Sequence, residues 1–445
     1  MMIKKIRELY DLLDSQKIQH VTWKSLENLD KALNGVDDVD LLCKPTDRKK
    51  ITALLLENGY IEDLYSPGCV YEDITVFRAF DPETCKFVML HLHYALRLGG
   101  KKYKEYRFPF EQELLDNTQV QMGAVILKDS YFIITRLLQV TVKKAYQDLY
   151  TLELCKKYFT LEKTEQDIVD KYLFLYFQSD VKKLMDDILK KGLPTLEGHS
   201  NTVCESFDKH SSISEAKYKV DNHTIKKSLK FYWIPQFIRR KRNKLYQASS
   251  IVLAGHDGSG KTSTSQEIVK TLKSVASVKR IYLGRNKWSS FNQVLNKYRS
   301  KIKPLNLLWP ISSTLEIVLR FLSGLIFTAC GNIVVYDRTL DDLYLKYHDK
   351  NLLYSWFPKL SYKILSNYKI KNQILLIADS AVVIERKGMH DLKEIDQLRE
   401  SYLDSLTDFT VLDTSHKNLF EVTGQIIEEA FFKNKFNEKQ VRYEK

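Results

Sequence analysis

The spacing of apolar positions changes character along the chain. Near the start, "MMIKKIRELYDLLDSQ" repeats apolar residues at three and four, which predicts an amphipathic helix and not a signal peptide. "HVTWK" predicts a strand, "SLENLDKALN" a polar helix, "VDDVDLLCK" a strand and "DRKKITALLLENG" a helix. "DITVFRAF" and "KFVMLHLHYAL" predict two more strands, so residues 1–105 read as an α/β unit. From 106 to 200 the pattern is mostly helical, clearest in "DSYFIITRLLQVTVKKAY" and "EQDIVDKYLFLYF". "EGHSNTVCESFDKHSSISEAK" is polar and serine-rich and predicts a loop or linker, placed at 201–247. From 248 to 445 strand and helix patterns alternate again, which predicts a second α/β domain with a parallel sheet.

Two stretches stand out. The most apolar, "LNLLWPISSTLEIVLRFLSGLIFTAC" from Leu305 to Cys330, is interrupted by Pro310, Glu316 and Arg320. It falls short of a membrane span and is expected to be a buried core helix. The basic and aromatic stretch 226–244, "KKSLKFYWIPQFIRRKRNK", leaves three readings open: a solvated connector, a membrane-surface anchor, or a strip for a long anionic substrate.

Composition narrows this little. With 445 residues the chain has room for two to four domains, and 44% hydrophobic with 28% charged residues excludes a disordered chain. A net charge of +13 favours anionic partners such as nucleotides, phosphorylated glycans, nucleic acid or an anionic membrane face. No specific nucleic-acid signature accompanies it. Six cysteines, at 43, 69, 85, 155, 204 and 330, show no paired metal spacing and fit a reduced, cytoplasmic protein. A cytoplasmic location peripheral to the inner face of the membrane follows if 226–244 is an anchor.

The candidate chemistry begins at "IVLAGHDGSGKTSTSQEI". Gly255-x-x-x-x-Gly260-Lys261-Thr262 is a phosphate-binding loop pattern, with a strand before it and a helix after it, as the motif requires. Gly255, Gly258 and Gly260 let backbone N–H groups approach phosphate oxygens, and the helix start adds its positive dipole end. Ser259 and Ser263 complete the cradle. Lys261 would reach the β- and γ-phosphates of ATP, and the Thr262 hydroxyl would hold Mg²⁺. The alternative is a structural glycine turn with a chance lysine. "NKWS" at Asn286 lacks the aspartate of a guanine-reading motif, which excludes a switch GTPase. Asp257 places a carboxylate beside the phosphates, a position suited to an acceptor hydroxyl. The second element is "GNIVVYDRT", where Asp337 and Arg338 end a buried strand at the crevice in which ligands bind.

"LAGHDGSGKTS" followed by "VVYDRT" resembles the thymidylate kinase family of nucleoside-monophosphate kinases. The tail "LLIADSAVVIERKGMHDLKEIDQLRESYLDSL…FTVLDTS" resembles that family's sixth-strand, lid and C-terminal segments, so the resemblance runs from Ser249 onward. It implies a three-layer α/β/α P-loop fold, ATP and Mg²⁺ as cofactors, and γ-phosphate transfer. It also implies roles: Lys261 and Thr262 on donor phosphates and Mg²⁺, and Asp257 facing the acceptor's sugar hydroxyl. Asp337 would organise Mg²⁺ and attacking groups, Arg338 would grip acceptor phosphate, and Arg386 with Lys387 would lie in the lid. Gly258 stands where some members carry a loop arginine, which makes Arg386 the cation for developing charge. The family's Arg-Glu-Pro segment is replaced by "GRNKW", where Arg285 can still face an acceptor, and Thr339 replaces an aromatic residue. The acceptor is therefore open between a nucleoside monophosphate, a sugar and a glycan end.

In the first unit Asp38 and Asp40 are two apart on a predicted strand and share a face, as a pair holding Mg²⁺ for nucleotidyl transfer would. With Lys24-Ser25 upstream, this resembles the nucleotidyltransferase superfamily over residues 1–105. Lys24 replaces the usual glycine and no third carboxylate is evident. The strand expected to carry it has His91 and His93 on one face, and these are read as metal ligands, as groups acting on substrate, or as parts of a non-catalytic relic. Three functions follow: a kinase, a bifunctional kinase and nucleotidyltransferase using Asp38 and Asp40, or a non-enzymatic ATP-binding peripheral adaptor.

Overall fold

The computed structural model describes residues 2–63, 71, 73–99, 106–210, 250–284, 289–298, 301–341, 352–366, 368, 370, 372–387, 392–406 and 408–433. The stretch 226–244, Arg285 and the side chain of Lys387 lie outside the described residues. The chain is mixed α/β and divides into two compact units, Met1–Ala79 with Val88–Trp233, and Phe80–Phe87 with Ile234–Lys445.

The first unit is built on a seven-stranded mixed sheet. Its strands are β1 (His20–Thr22), β2 (Val39–Cys43), β3 (Ile61–Glu62), β4 (Ile74–Asp81), β5 (Lys86–His93), β8 (Thr118–Gln121) and β9 (Ala124–Leu127), ordered β3-β4-β5-β2-β1-β9-β8. Two short strands, β6 (Arg97–Leu98) and β7 (Tyr106–Arg107), pair separately. Period-two alternation divides the central strands into two faces. Val39, Leu41, Leu90 and Leu92 join Leu9 and Leu13 of the helix Lys4–Ser15 and Leu55 of the helix Arg48–Glu57 in one core cluster. The residues between them, Asp40, His91 and His93, take the other face. β2 runs parallel to β5 with Asp40 opposite His91. The sheet draws β8 and β9 from beyond residue 105, with Thr22 of β1 opposite Ile126 of β9. That hairpin interrupts the stretch read as helical, because four-residue strands bounded by polar residues leave a weak trace in the sequence.

Helices Asp129–Lys143, Leu149–Tyr158, Lys163–Phe177 and Val181–Lys191 follow the predicted periods. The expected loop beyond them begins as a helix instead. Ser200–His210 is α-helical and buries Val203 and Phe207. Phe207 packs 4.5 Å from the Tyr176 ring and 5.5 Å from Phe108. A single i, i+4 apolar pair among polar residues is enough for a helix when an aromatic cluster receives it.

The second unit has a fully parallel five-stranded sheet: β10 (Ser250–Ala254), β11 (Val278–Tyr282), β12 (Ile333–Asp337), β13 (Asn372–Ile377) and β14 (Thr410–Asp413). The order is β11-β12-β10-β13-β14, so the chain reverses direction across the sheet at β10. β10 and β12 are buried along their whole length, as strands covered on both faces must be. One face packs on the helix Lys303–Ala329 through Ile317 and Phe321. The helix Lys261–Lys273 packs against β11, β12 and the helix Leu419–Glu428.

The helix Lys303–Ala329 runs through Pro310 without ending. Its expected burial holds on one side only. Ile317 and Phe321 are buried, whereas Leu308, Leu315, Leu319, Leu322 and Ile326 are exposed. The segment Leu308–Ala329 is long and apolar enough to cross a membrane by length and composition. Its two charged residues serve packing. Glu316 accepts from the Ser289 N–H at 2.8 Å, and Arg320 donates to the Tyr282 and Gly284 carbonyls at 3.2 Å each.

Gly324 of this helix lies against the buried Tyr336 ring, and a Cβ there would overlap the ring and its hydroxyl. Alanine favours a helix over glycine by about 1 kcal/mol, but overpacking a closed core costs about 1–3 kcal/mol. Gly324→Ala is therefore expected to lower the thermal midpoint of unfolding. An unchanged or raised midpoint would show that Tyr336 has room to move.

Candidate phosphate-binding site

The loop after β10 has the shape its glycines permit. Gly255, Gly258 and Gly260 take φ of +139°, +93° and +91°. A Cβ on Gly255 would strike the Leu376 carbonyl, and one on Gly258 would meet Val383, so both must stay glycine for close packing. Lys261 starts the helix and is buried, with Nζ donating to the His256 carbonyl at 2.5 Å and standing 3.9 Å from Asp257 Oδ1. Thr262 and Ser263 are exposed at the helix start, where side chains can meet a ligand. Ser259 is buried and its hydroxyl donates to the His256 carbonyl at 2.9 Å, so it braces the loop from inside.

His256 was not a sequence candidate, yet it anchors the loop. The Ala378 N–H donates to His256 Nε2 at 3.1 Å, which places the ring proton on Nδ1, 3.2 Å from the Asp257 carbonyl. Burial holds the His256 pKa below its usual value, and Lys261 and Arg399 push the same way.

Asp337 ends β12 and is fully buried. Its Oδ2 accepts from Ser265 at 3.2 Å and pairs with Arg280, whose Nε donates to the same Ser265 hydroxyl at 2.7 Å. The Ser265 hydroxyl also lies 2.9 Å from the Thr262 carbonyl, so Asp337 is tied to the start of the loop's helix. Asp337 Oδ1 is buried without a hydrogen-bond partner. Such an oxygen is costly unless a ligand meets it. With the exposed Thr262 hydroxyl it fits the hard oxygen ligation of Mg²⁺.

Arg338 has φ of +87°, in the left-handed region, and turns its guanidinium to Asp257 Oδ1 at 2.8 Å. Asp257 is half exposed at the loop tip. Arg386 donates to the Thr414 carbonyl at 2.9 Å, and the Thr414 hydroxyl reaches the Ser259 carbonyl at 3.2 Å. Lys261, Asp257, Arg338 and Arg386 are therefore linked by hydrogen bonds through His256, Ser259 and Thr414, while Asp337 is tied through Ser265 to the Thr262 carbonyl. Ser265, Arg280 and Thr414 complete these links and carried no motif signal. A cavity of about 370 Å³ in the same unit is lined by Tyr336, Thr339, Asp341, Tyr362, Gln373 and Phe409 among others. Asp341 accepts from Thr339 at 2.5 Å and from the Tyr362 hydroxyl at 2.7 Å.

In the first unit, Asp38 stands one residue before β2 and not within it. Asp40 is buried, with His93 Nε2 3.0 Å from Oδ1 and Lys24 Nζ 3.1 Å from Oδ2. Burial alone would raise the Asp40 pKa, but hydrogen bonds from His91 and His93 and the charge of Lys24 hold it well below the usual range. Burial raises that of Asp38, opposed by His91. Ser25 takes φ of +58° ahead of a short 3₁₀ turn, Leu26–Asn28, so the expected helix begins late.

No protein-family model matches the chain, and no curated protein matches it. Among solved structures it is similar to a thymidylate kinase from Candida albicans, at 17% identity and a TM-score of 0.29, over 41% of this chain and 90% of that one. It is also similar to a thymidylate kinase from Ehrlichia chaffeensis, at 15% identity and a TM-score of 0.29, over 41% of this chain and 97% of that one. Likenesses at this level carry no argument about activity.

Burial of His256 makes the stability of the second unit depend on pH. Its folded pKa lies below the usual 6.5, so the unfolded chain takes up the proton first as pH falls. The stability it contributes is complete above about pH 6.5 and is lost as pH drops from there toward the folded pKa. Thermal midpoints between about pH 7.5 and 5.5 should fall for the native chain and fall less steeply for His256→Asn. Equal slopes would mean that His256 titrates normally.

Proposed function

We propose that the second unit is an ATP- and Mg²⁺-dependent phosphotransferase that moves the γ-phosphate to a nucleoside monophosphate, a sugar or a glycan end. The observation that carries this reading is the buried Asp337, with one oxygen held by Arg280 and Ser265 and the other unpartnered, at the strand end behind the glycine loop. A loop that only braced the fold would have no need of a desolvated carboxylate there.

Backbone N–H groups of the loop and Lys261 would hold the β- and γ-phosphates. Thr262 and Asp337 would hold Mg²⁺, which when bound supplies charge neutralisation between the phosphates. Asp257 would accept a hydrogen bond from the acceptor hydroxyl and so aim its oxygen. Arg338 would exchange its Asp257 contact for acceptor phosphate, a bidentate pairing suited to a guanidinium. Arg386 stands beside the loop through Thr414 and would meet charge developing on the transferred group. In the step, the attacking oxygen, a phosphate oxygen of a nucleoside monophosphate or a hydroxyl oxygen of a sugar or glycan, forms a bond to phosphorus as the bond to the ADP oxygen breaks; a hydroxyl acceptor gives its proton to water, and an ionised phosphate has none to give.

The nucleotidyltransferase reading of Asp38 and Asp40 is favoured less. Two imidazoles stand where oxygen ligands for Mg²⁺ would be needed, and Lys24 occupies Asp40 Oδ2.

Purified protein incubated with γ-labelled ATP, Mg²⁺ and a panel of dTMP, other nucleoside monophosphates, sugars and glycan fragments tests the proposal. Label should move to an acceptor. Lys261→Ala should lower the rate by about 10²–10³-fold, and Arg386→Ala should lower kcat with little effect on ATP affinity. ATP binding without transfer to any acceptor would leave the adaptor as the better reading.

A further inference from the structure

The first unit carries a cluster that phosphotransfer does not use. β2 and β5 run parallel with Asp40 opposite His91, and His93 follows two residues on, so all three side chains leave the same face of the sheet. His93 Nε2 lies 3.0 Å from Asp40 Oδ1, and His91 Nδ1 lies 3.5 Å from the same oxygen. One ligand atom from each of the three residues falls within 4.8 Å of the others. Four-coordinate sites with bonds of about 2.0–2.1 Å have ligand atoms about 3.3 Å apart, which the two shorter separations bracket.

The surroundings orient the set. Lys24 Nζ stands 3.1 Å from Asp40 Oδ2 and 3.3 Å from Oδ1, nearer the oxygen that faces away from the imidazoles. Oδ1, which both imidazoles approach, is the ligand oxygen, and Lys24, which donates to both oxygens, would keep Oδ2 when an ion takes Oδ1. His91 offers Nδ1 to the cluster, and its Nε2 is buried without a hydrogen bond, 3.8 Å from Asp38 Oδ2, so Asp38 is the nearby carboxylate that would close on it as an outer partner when an ion is held. The Trp23 ring meets His93 edge-on at 5.2 Å and 78°, which limits rotation of the imidazole. Two imidazoles with one carboxylate suit Zn²⁺, Fe²⁺ or Co²⁺ and not Mg²⁺, whose preferred ligands are oxygens. Three protein ligands leave a coordination position for water or substrate.

We propose that Asp40, His91 and His93 bind one divalent transition-metal ion of the Zn²⁺ class, with Asp38 as outer-shell partner and an open position. This does not rest on the phosphotransferase reading. It separates the two units chemically: oxygen ligands for Mg²⁺ behind the glycine loop, and an imidazole site in the other unit.

Full-length protein stripped with chelator and titrated with Co²⁺ in excess Mg²⁺ tests it. Expected is one equivalent of Co²⁺ with visible d–d absorption, without a near-ultraviolet thiolate band, and displaced by Zn²⁺. His91→Asn and His93→Asn should each weaken binding at least about tenfold, while Thr262→Ala leaves it unchanged. His91 is partly exposed, so His91→Asn decides the matter if His93→Asn fails to fold by circular dichroism. Absence of the absorption, a thiolate band, or full-strength binding by folded His91→Asn would overturn the assignment. Because the readout is spectroscopic, a failure of phosphate transfer would not touch it.

Discussion

Burying a charged carboxylate costs several kcal/mol unless charges and hydrogen bonds replace the lost water, and the second unit is arranged around one such group. Asp337 needs Arg280, and Arg280 reaches it because β11 pairs with β12 in a register that sets Arg280 opposite Val335, two residues short of Asp337. Ser265 must come from the helix that starts at the glycine loop, which fixes how that helix packs across the sheet. Strand order, helix position and loop placement thus answer one electrostatic requirement as well as the burial of apolar surface.

Asp40 in the first unit meets the same requirement with different partners. Its water is replaced by two imidazoles and an ammonium instead of a guanidinium and a hydroxyl. The difference matters because imidazole nitrogens keep lone pairs for a metal, whereas a guanidinium has none to give. Two buried carboxylates at strand positions are thus set among different donors, a guanidinium and a hydroxyl in one unit and imidazoles in the other.

The loop Gly255–Thr262 and the strand ending at Asp337 were legible because their chemistry is local: glycines, a lysine and a buried run stand in fixed order over a few residues. His91 and His93 were legible as a shared face, since period two needs no tertiary knowledge. His256, Ser265, Arg280 and Thr414 are not, because each acts on a partner far along the chain, and even His256, inside the loop pattern, occupies one of its unspecified positions. The β8–β9 hairpin and the helix Ser200–His210 were missed for a related reason. Their stability comes from β1 and from the Tyr176–Phe108 cluster, and not from their own composition. The long apolar helix was recognised, but which of its sides would be covered depends on neighbours that composition does not name.

At Arg338 the left-handed backbone puts conformational preference against chemistry at a single residue. A side chain there holds the chain in a region that costs about 1 kcal/mol or more for anything but glycine. Glycine would relax the backbone and delete the guanidinium together. If Arg338 grips the acceptor as proposed, stability and turnover ask for different residues at 338, and a glycine there would be gained for the fold only by giving up the grip.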